Sequence, residues 1–225
     1  MNAPAVEDRL IIPVDTEHNG IRLAVIVAFI SVWVISFIVI SAVISSQGVG
    51  VLAILLGFPI AYGVTALLER FLKQRWPSGR VIQIDKNGVT LLKRAELQAQ
   101  VLSEDPATAL LWTFKVAKRA RVPKGWSMLA CALEYENSYL TIYTFMSPSQ
   151  VEAFNMAMQF KKLISTRKGK GKDDMREDLR LAGEQRRLRD AESHRWMYGA
   201  EMTPPDFITY LTRLNTQFSE WMPVN

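Results

Sequence analysis

Residues 23–68 read LAVIVAFISVWVISFIVISAVISSQGVGVLAILLGFPIAYGVTALL, and not one of them is charged. Ser45-Ser46-Gln47-Gly48 divides the stretch into apolar runs of 23 residues (Leu23–Ser45) and 20 residues (Val49–Leu68). At 1.5 Å per residue, helices of these lengths reach about 34 and 30 Å, which matches a hydrocarbon core of about 30 Å. Val, Ile and Phe dominate the first run and favour strands in water, but in lipid the backbone must satisfy its own hydrogen bonds, which imposes helix. A buried helix pair in a soluble protein is the competing reading, and two adjacent uncharged runs weigh against it. The first run is too long for a signal-peptide core and no small-residue cleavage site follows, so an uncleaved anchor is expected. Arg22 precedes the runs, Arg70, Lys73 and Arg75 follow them, and the loop between is uncharged. The positive-inside bias therefore predicts a multi-pass protein of the cytoplasmic (cell) membrane with both termini cytoplasmic. With no ionisable group in either run, a proton relay or ion path is disfavoured. Gly57 and Ala61 make a small-xxx-small pair around Pro59, which suits close helix packing or a kink.

Outside the hairpin the balance of charge shifts. Residues 1–75 hold five Lys/Arg against five Asp/Glu, so the net +5 of the 225-residue chain belongs to residues 76–225. One cysteine, Cys131, excludes an intramolecular disulfide, and His18 and His194 are too far apart to suggest a zinc site. The expected organisation is a cytoplasmic N-terminal segment (1–21), a two-helix transmembrane hairpin (22–68), a linker (69–78), a β domain with a closing helix (79–165), and a charged linker with C-terminal helices (166–225).

The β domain is legible in its turns. Arg80–Asp85 (RVIQID) alternates, Lys86-Asn87-Gly88 supplies an Asn-Gly turn and Val89–Leu92 resumes an extended pattern. Met128–Tyr135 and Tyr139–Phe145 flank Glu136-Asn137-Ser138 as a second hairpin. Leu110–Val116 and Leu97–Leu102 read as further strands. Ser147, Pro148 and Gln150 then form an N-cap, first-turn proline and capping-box partner, and Val151, Phe154, Ala157, Met158, Phe160 and Ile164 recur at helical spacing. One helix over this stretch is expected to close the domain.

A transmembrane hairpin, a short basic linker, V-I-x-I-D running into x-x-G-V-T-L (Val81–Leu91), further strands and an S-P-S-Q-V-E-A-F helix start (Ser147–Phe154) together resemble bacterial membrane proteins with a pleckstrin-homology-like domain. The resemblance covers residues 22–164 and is one of order, not of a diagnostic motif. It implies a membrane α-helical hairpin plus an α+β cytoplasmic domain: a PH-like, partly open antiparallel β-barrel of about seven strands capped by a helix, used for binding. The tail after Ile164 departs from the pattern.

Lys115, Lys118, Arg119, Arg121 and Lys124 fall within ten residues without an acid, between Trp112 and Trp126. They are a basic patch suited to anionic headgroups or to a partner, or else a solvated loop. Lys161–Lys172 is a second acid-free basic run with interspersed glycines, read as a linker; nucleic acid binding finds no motif there. Asp173–Tyr198 is helix-prone, with Met175, Leu179 and Ala182 as a thin apolar stripe before Gly183, a spacer or a surface that a partner completes. Thr203 before Pro204-Pro205 and Asp206 caps a last helix, along which Phe207, Leu211, Leu214 and Phe218 share one face. That face must dock on its own domain, on a partner or at the membrane interface, and the charged spacer before it favours a partner.

Gly48-Val49-Gly50-Val51-Leu52-Ala53 fits a dinucleotide fingerprint only by its letters, since it opens an apolar run and follows no strand. Gly169-Lys170-Gly171-Lys172 lacks the spacing of a phosphate loop. No nucleophile–base constellation, metal set or cofactor motif emerges. The expected function is therefore a non-catalytic, membrane-anchored accessory or assembly subunit that docks subunits of a membrane complex. The alternative is a PH-like module responding to anionic lipids.

Overall fold

The computed structural model describes residues 9–15, 19–43, 49–117, 122–136, 138–164 and 175–223. They form two compact units, one over residues 15–78 and one that unites the chain before residue 15 with the chain from 79 onward.

The first unit is a helix pair, α1 (Asn19–Val43) and α2 (Val49–Arg75). Both are long and apolar enough to cross a membrane, over Gly20–Val43 and Ala53–Lys73. Ala53, Gly57, Ala61 and Thr65 recur every fourth residue on α2 and are all buried. Small side chains there let the helices approach closely: a Cβ on Gly57 would stand 3.2 Å from Trp33 Cδ1. Phe29 meets Phe58 edge to face at 5.4 Å. Thr65 donates its hydroxyl to the Ala61 carbonyl at 2.7 Å, which hides its polarity inside the helix. The outward side chains, among them Ile35, Leu55 and Leu67, stay exposed. The expected linker over 69–78 is mostly helix, because α2 continues to Arg75 with an ion pair between Lys73 and Glu69 at 3.1 Å.

The second unit is an α+β domain with two sheets. In the first, β1 (Leu10–Val14), β2 (Arg80–Asp85), β3 (Gly88–Lys93) and β4 (Glu96–Leu102) are antiparallel neighbours in that order. In the second, β5 (Thr108–Lys115), β6 (Ser127–Tyr135) and β7 (Ser138–Met146) form an antiparallel meander. Two short parallel strands flank it, β8 (Lys161–Lys162) beside β5 and β9 (Ala200–Glu201) beside β7. The two sheets do not join into a closed barrel.

β1 corrects the expectation of a separate N-terminal segment. Leu10–Val14 buries Ile12 and Val14 against the sheet interior while Ile11 and Pro13 face out. Pro13 lacks an N–H for the ladder, and an edge strand tolerates that. The β2–β3 turn is also shifted: Asp85 pairs with Gly88, so Lys86 and Asn87 make the loop. Gly88 adopts φ 144°, and a Cβ there would lie 2.1 Å from the Val101 carbonyl, so close strand approach demands glycine. In the β6–β7 connection, Asn137 lies outside the described residues.

The closing helix is a larger correction. The predicted capping box is present, with Gln150 N–H on Ser147 Oγ at 3.3 Å and Ser147 N–H on Gln150 Oε1 at 2.9 Å. Yet α3 spans only Pro148–Glu152, followed by a 3-10 turn at Ala157–Gln159 and then β8. Phe154 and Phe160 reach the core, whereas Met158 and Ile164 point to solvent. The place such a helix would fill is taken by α5 (Pro204–Gln217), whose Phe207, Tyr210, Leu211 and Leu214 are fully buried. Phe154, Phe160 and Phe207 form a continuous aromatic row with centroids 6.0 and 6.3 Å apart. The Thr203 cap is as expected, its side chain accepting the Asp206 N–H at 3.4 Å.

Leu211→Ala should therefore cost about 2–5 kcal/mol, read as a lowered urea midpoint of the full chain in detergent, while Ile164→Ala should stay within about 0.5 kcal/mol of the parent.

Candidate functional site

β4 pairs only with β3, and β7 meets β9 only at Ile142 and Tyr143. The outer edge of β4 and the Ser138–Thr141 half of β7 thus have no strand partner on that side among the described residues. Between them opens a groove of about 750 Å³, walled by Leu97, Ala99 and Val101 on one side and Tyr139 and Thr141 on the other. His194, Met197 and Tyr198 of α4 (Met175–Tyr198) close its end.

α4 holds this position through a polar anchor that its apolar stripe did not reveal. Leu188, Ala191 and Arg195 face the second sheet and are buried. Arg195 donates to Glu192 through Nε at 2.8 Å and Nη2 at 2.7 Å, and its guanidinium lies 4.6 Å from the centre of the Tyr143 ring. Glu192 also accepts Trp112 Nε1–H at 3.0 Å, tying helix to β5. A planar guanidinium suits this combination of bidentate carboxylate and ring face, which lysine would not reproduce. At the other end Gln185 takes the Ile164 N–H at 2.9 Å and donates to the Lys162 carbonyl at 3.1 Å, completing β8. The helix is therefore part of the domain, and the expectation of a spacer or partner-completed surface gives way to this packing.

Within the groove, His194 Nδ1 lies 3.3 Å from Thr141 Oγ1, and its ring stacks at a tilt between Tyr139 and Tyr198. Burial lowers the imidazole below its ordinary value, so the ring is neutral near pH 7. Tyr139 donates to Glu134 at 3.1 Å; burial, then the Glu134 charge, pushes its hydroxyl up. Arg80 crosses the groove mouth, with Nε on Gln98 Oε1 at 2.7 Å and Nη2 on the Tyr198 carbonyl at 3.1 Å. The described residues contain no group of three or more potential metal ligands. Thr141 is itself 2% exposed in mid-strand, a poor place for a nucleophile. The groove presents strand edges without strand partners among the described residues, aromatic faces and amide groups.

The residues singled out from sequence lie elsewhere. Lys115 and Lys124 are exposed at the base of one loop, where Val116 N–H meets the Trp126 carbonyl at 2.7 Å. Lys118, Arg119 and Arg121 lie outside the described residues. Phe207, Leu211, Leu214 and Phe218, expected to dock a partner, are 0–3% exposed inside their own domain. Their apolar face fills the space between the sheets. Cys131 packs as expected in β6 with its thiol pushed up to about 12 by burial. Burial likewise lifts the neighbouring Tyr210 hydroxyl, which has no hydrogen bond of ordinary geometry. Sequence reasoning missed His194, Thr141 and Arg80; the one visible signal was the run His194-Arg195-Trp196-Met197-Tyr198 ending an otherwise charged helix.

Compared with known families, curated proteins and solved structures, the chain matches none.

Two outcomes follow from this geometry. Glu192→Ala leaves Arg195 buried without its carboxylate and should cost about 3–5 kcal/mol in urea unfolding. Because the folded state holds His194 below 6.5, the unfolded chain takes up that proton first as pH falls. The neutral ring's contribution is complete above 6.5 and is lost as pH falls through the folded-state value. Unfolding midpoints measured from pH 7 to 5 should decline less steeply in His194→Gln than in the parent.

Proposed function

We propose that the chain is a membrane-anchored, non-catalytic binding protein, an accessory or assembly subunit that holds part of a membrane complex in the groove between β4, β7 and α4. The observation that carries this reading is the β1–β2 ladder. Val14 stands opposite Arg80, and the apolar hairpin occupies the chain between them, so helices that cross a bilayer leave and return on one side. Arg22, Arg70, Lys73 and Arg75 flank the hairpin, which favours the cytoplasm for that side and a two-span topology. The exposed apolar surface of both helices supports a lipid surrounding over water.

The pleckstrin-homology-like reading draws support from element order. Four antiparallel strands precede three more, and a helix from the chain's end lays its apolar face between the sheets. In this reading the capping helix is α5, and the membrane hairpin is an insertion between the first and second strands. A groove bordered by unpaired edges suits an extended protein segment, because backbone bonds along an edge supply affinity while side-chain pockets select the sequence.

The second reading, a module responding to anionic lipids through Lys115, Lys118, Arg119, Arg121 and Lys124, is favoured by the exposure of Lys115 and Lys124 at one loop base. Photo-crosslinkers placed at Leu97 and at Lys124 of the full-length protein in native nanodiscs separate the two. A stoichiometric protein adduct at Leu97, reduced by Tyr139→Ala, is the expected result. Adducts confined to phosphatidylglycerol at Lys124 would favour the lipid module, and a monomer with no adduct at either position would overturn both.

A further inference from the structure

Both connections from the domain to the hairpin leave from one end of the first sheet. Val14 ends β1 opposite Arg80, and Arg80 begins β2 opposite Lys93 at the end of β3. Arg94 donates its backbone N–H to the Gly79 carbonyl at 2.7 Å, which brings the β3–β4 turn to the same place. Arg80 reaches the Tyr198 and Gly199 carbonyls at 3.1 and 3.5 Å, which adds the last turn of α4. That turn exposes three large side chains in succession, Trp196 at 76%, Met197 at 68% and Tyr198 at 59%. Lys93 and Arg94 are exposed as well.

The covalent connections between this end and the apolar helices are short. The N–H of Trp76 still bonds to the Leu72 carbonyl at 2.8 Å, so helix geometry persists to Trp76. Four residue steps from there to Arg80 span at most about 14 Å, and five steps from Val14 to Asn19 about 18 Å. Both short tethers leave this same end of the domain, and Glu104 lies at the opposite end of its strands. Trp and Tyr concentrate where hydrocarbon meets headgroups, and Lys and Arg at a membrane surface attract anionic lipid. The helix surface before them is charged, with Arg186, Arg187, Arg189 and Asp190 outward, so Trp196, Met197 and Tyr198 form an apolar end on a polar helix, although Tyr198 also stacks on His194 and Arg195 lies 5.9 Å from the Trp196 ring.

We infer that this end of the domain is a membrane-seating surface: Trp196, Met197 and Tyr198 enter the headgroup region of the bilayer, and Lys93 and Arg94 lie against anionic headgroups. The inference rests on the hairpin crossing the membrane. It also sets the partner's geometry, because Met197 and Tyr198 line the groove, so a segment bound there lies at the membrane surface.

The test uses the full-length chain in phosphatidylcholine–phosphatidylglycerol nanodiscs with a nitroxide on a single introduced cysteine. Native Cys131 is 0% exposed and its thiol stays protonated, so it does not take the label. Labels at Met197→Cys, with Trp196→Cys as the second variant, are compared with Glu104→Cys in the far β4–β5 turn and Ile35→Cys on α1. The expected ratio of oxygen to nickel-complex accessibility is several-fold higher at 197 and 196 than at 104, and highest at 35. Equal ratios at 197, 196 and 104 would overturn the seating surface, as would exclusion of both probes from 197 and 196, which marks cover by protein. A water-like ratio at 35 would instead overturn the membrane reading itself.

Discussion

Five residues of β1 hold the two ends of a long apolar excursion together. Leu10–Val14 pairs with Ile84–Arg80 along its full length, and Arg9 reinforces the pairing by bonding the Gln83 side chain, which also bonds Asp85 at 2.9 Å. Ile12 and Val14 contribute to the same core as Ile82, Ile84 and the α5 residues. Without this strand, β2 would become an exposed edge with Ile82 and Ile84 beneath it, and edges of that kind invite pairing with other chains. The ladder is thus both a topological clasp and an edge guard.

Much of this architecture is written in period and punctuation. The uncharged runs, the two tight hairpins and the Ser147 and Thr203 caps are local signals, and local physics decides them. Longer-range competition is not written that way. Phe154 and Phe160 at helical spacing suggested one long helix, yet the core accepts only one closing helix, and α5 presents the denser apolar face. Leu10–Val14 is short and interrupted by Pro13, so its strand character depends on β2, some seventy residues away. The docking of α4 rests on Glu192, Arg195 and Trp112, and a partly buried ion pair leaves no hydrophobic period to read. The groove was less legible still, because unpaired strand edges are a property of assembly. Its His194 looks like any other residue on a charged helix until Thr141, Tyr139 and Tyr198 surround it.

The groove and the proposed seating end share Met197 and Tyr198. Arg80 is the pivot: it begins β2, bonds Gln98 on β4 and reaches the carbonyls of Tyr198, the last residue of α4, and of Gly199 just beyond it. A partner strand along β4 would run from the β4–β5 turn toward Tyr198. In the proposed reading, recognition and anchoring would be consequences of one arrangement, with the aromatic rim of the groove serving both.

The placement of the hairpin between β1 and β2 also governs the order in which the protein forms. During synthesis β1 emerges first and has no partner until β2 follows, sixty-six positions later in register from Val14 to Arg80. Closing a free loop of that length costs roughly 3–4 kcal/mol in chain entropy beyond a constant. The two helices are packed together, joined at Gly57 and Trp33 and at Phe29 and Phe58. A hairpin that pairs before β1 meets β2 would replace most of that free loop by a fixed connection, and would make strand closure depend on helix pairing.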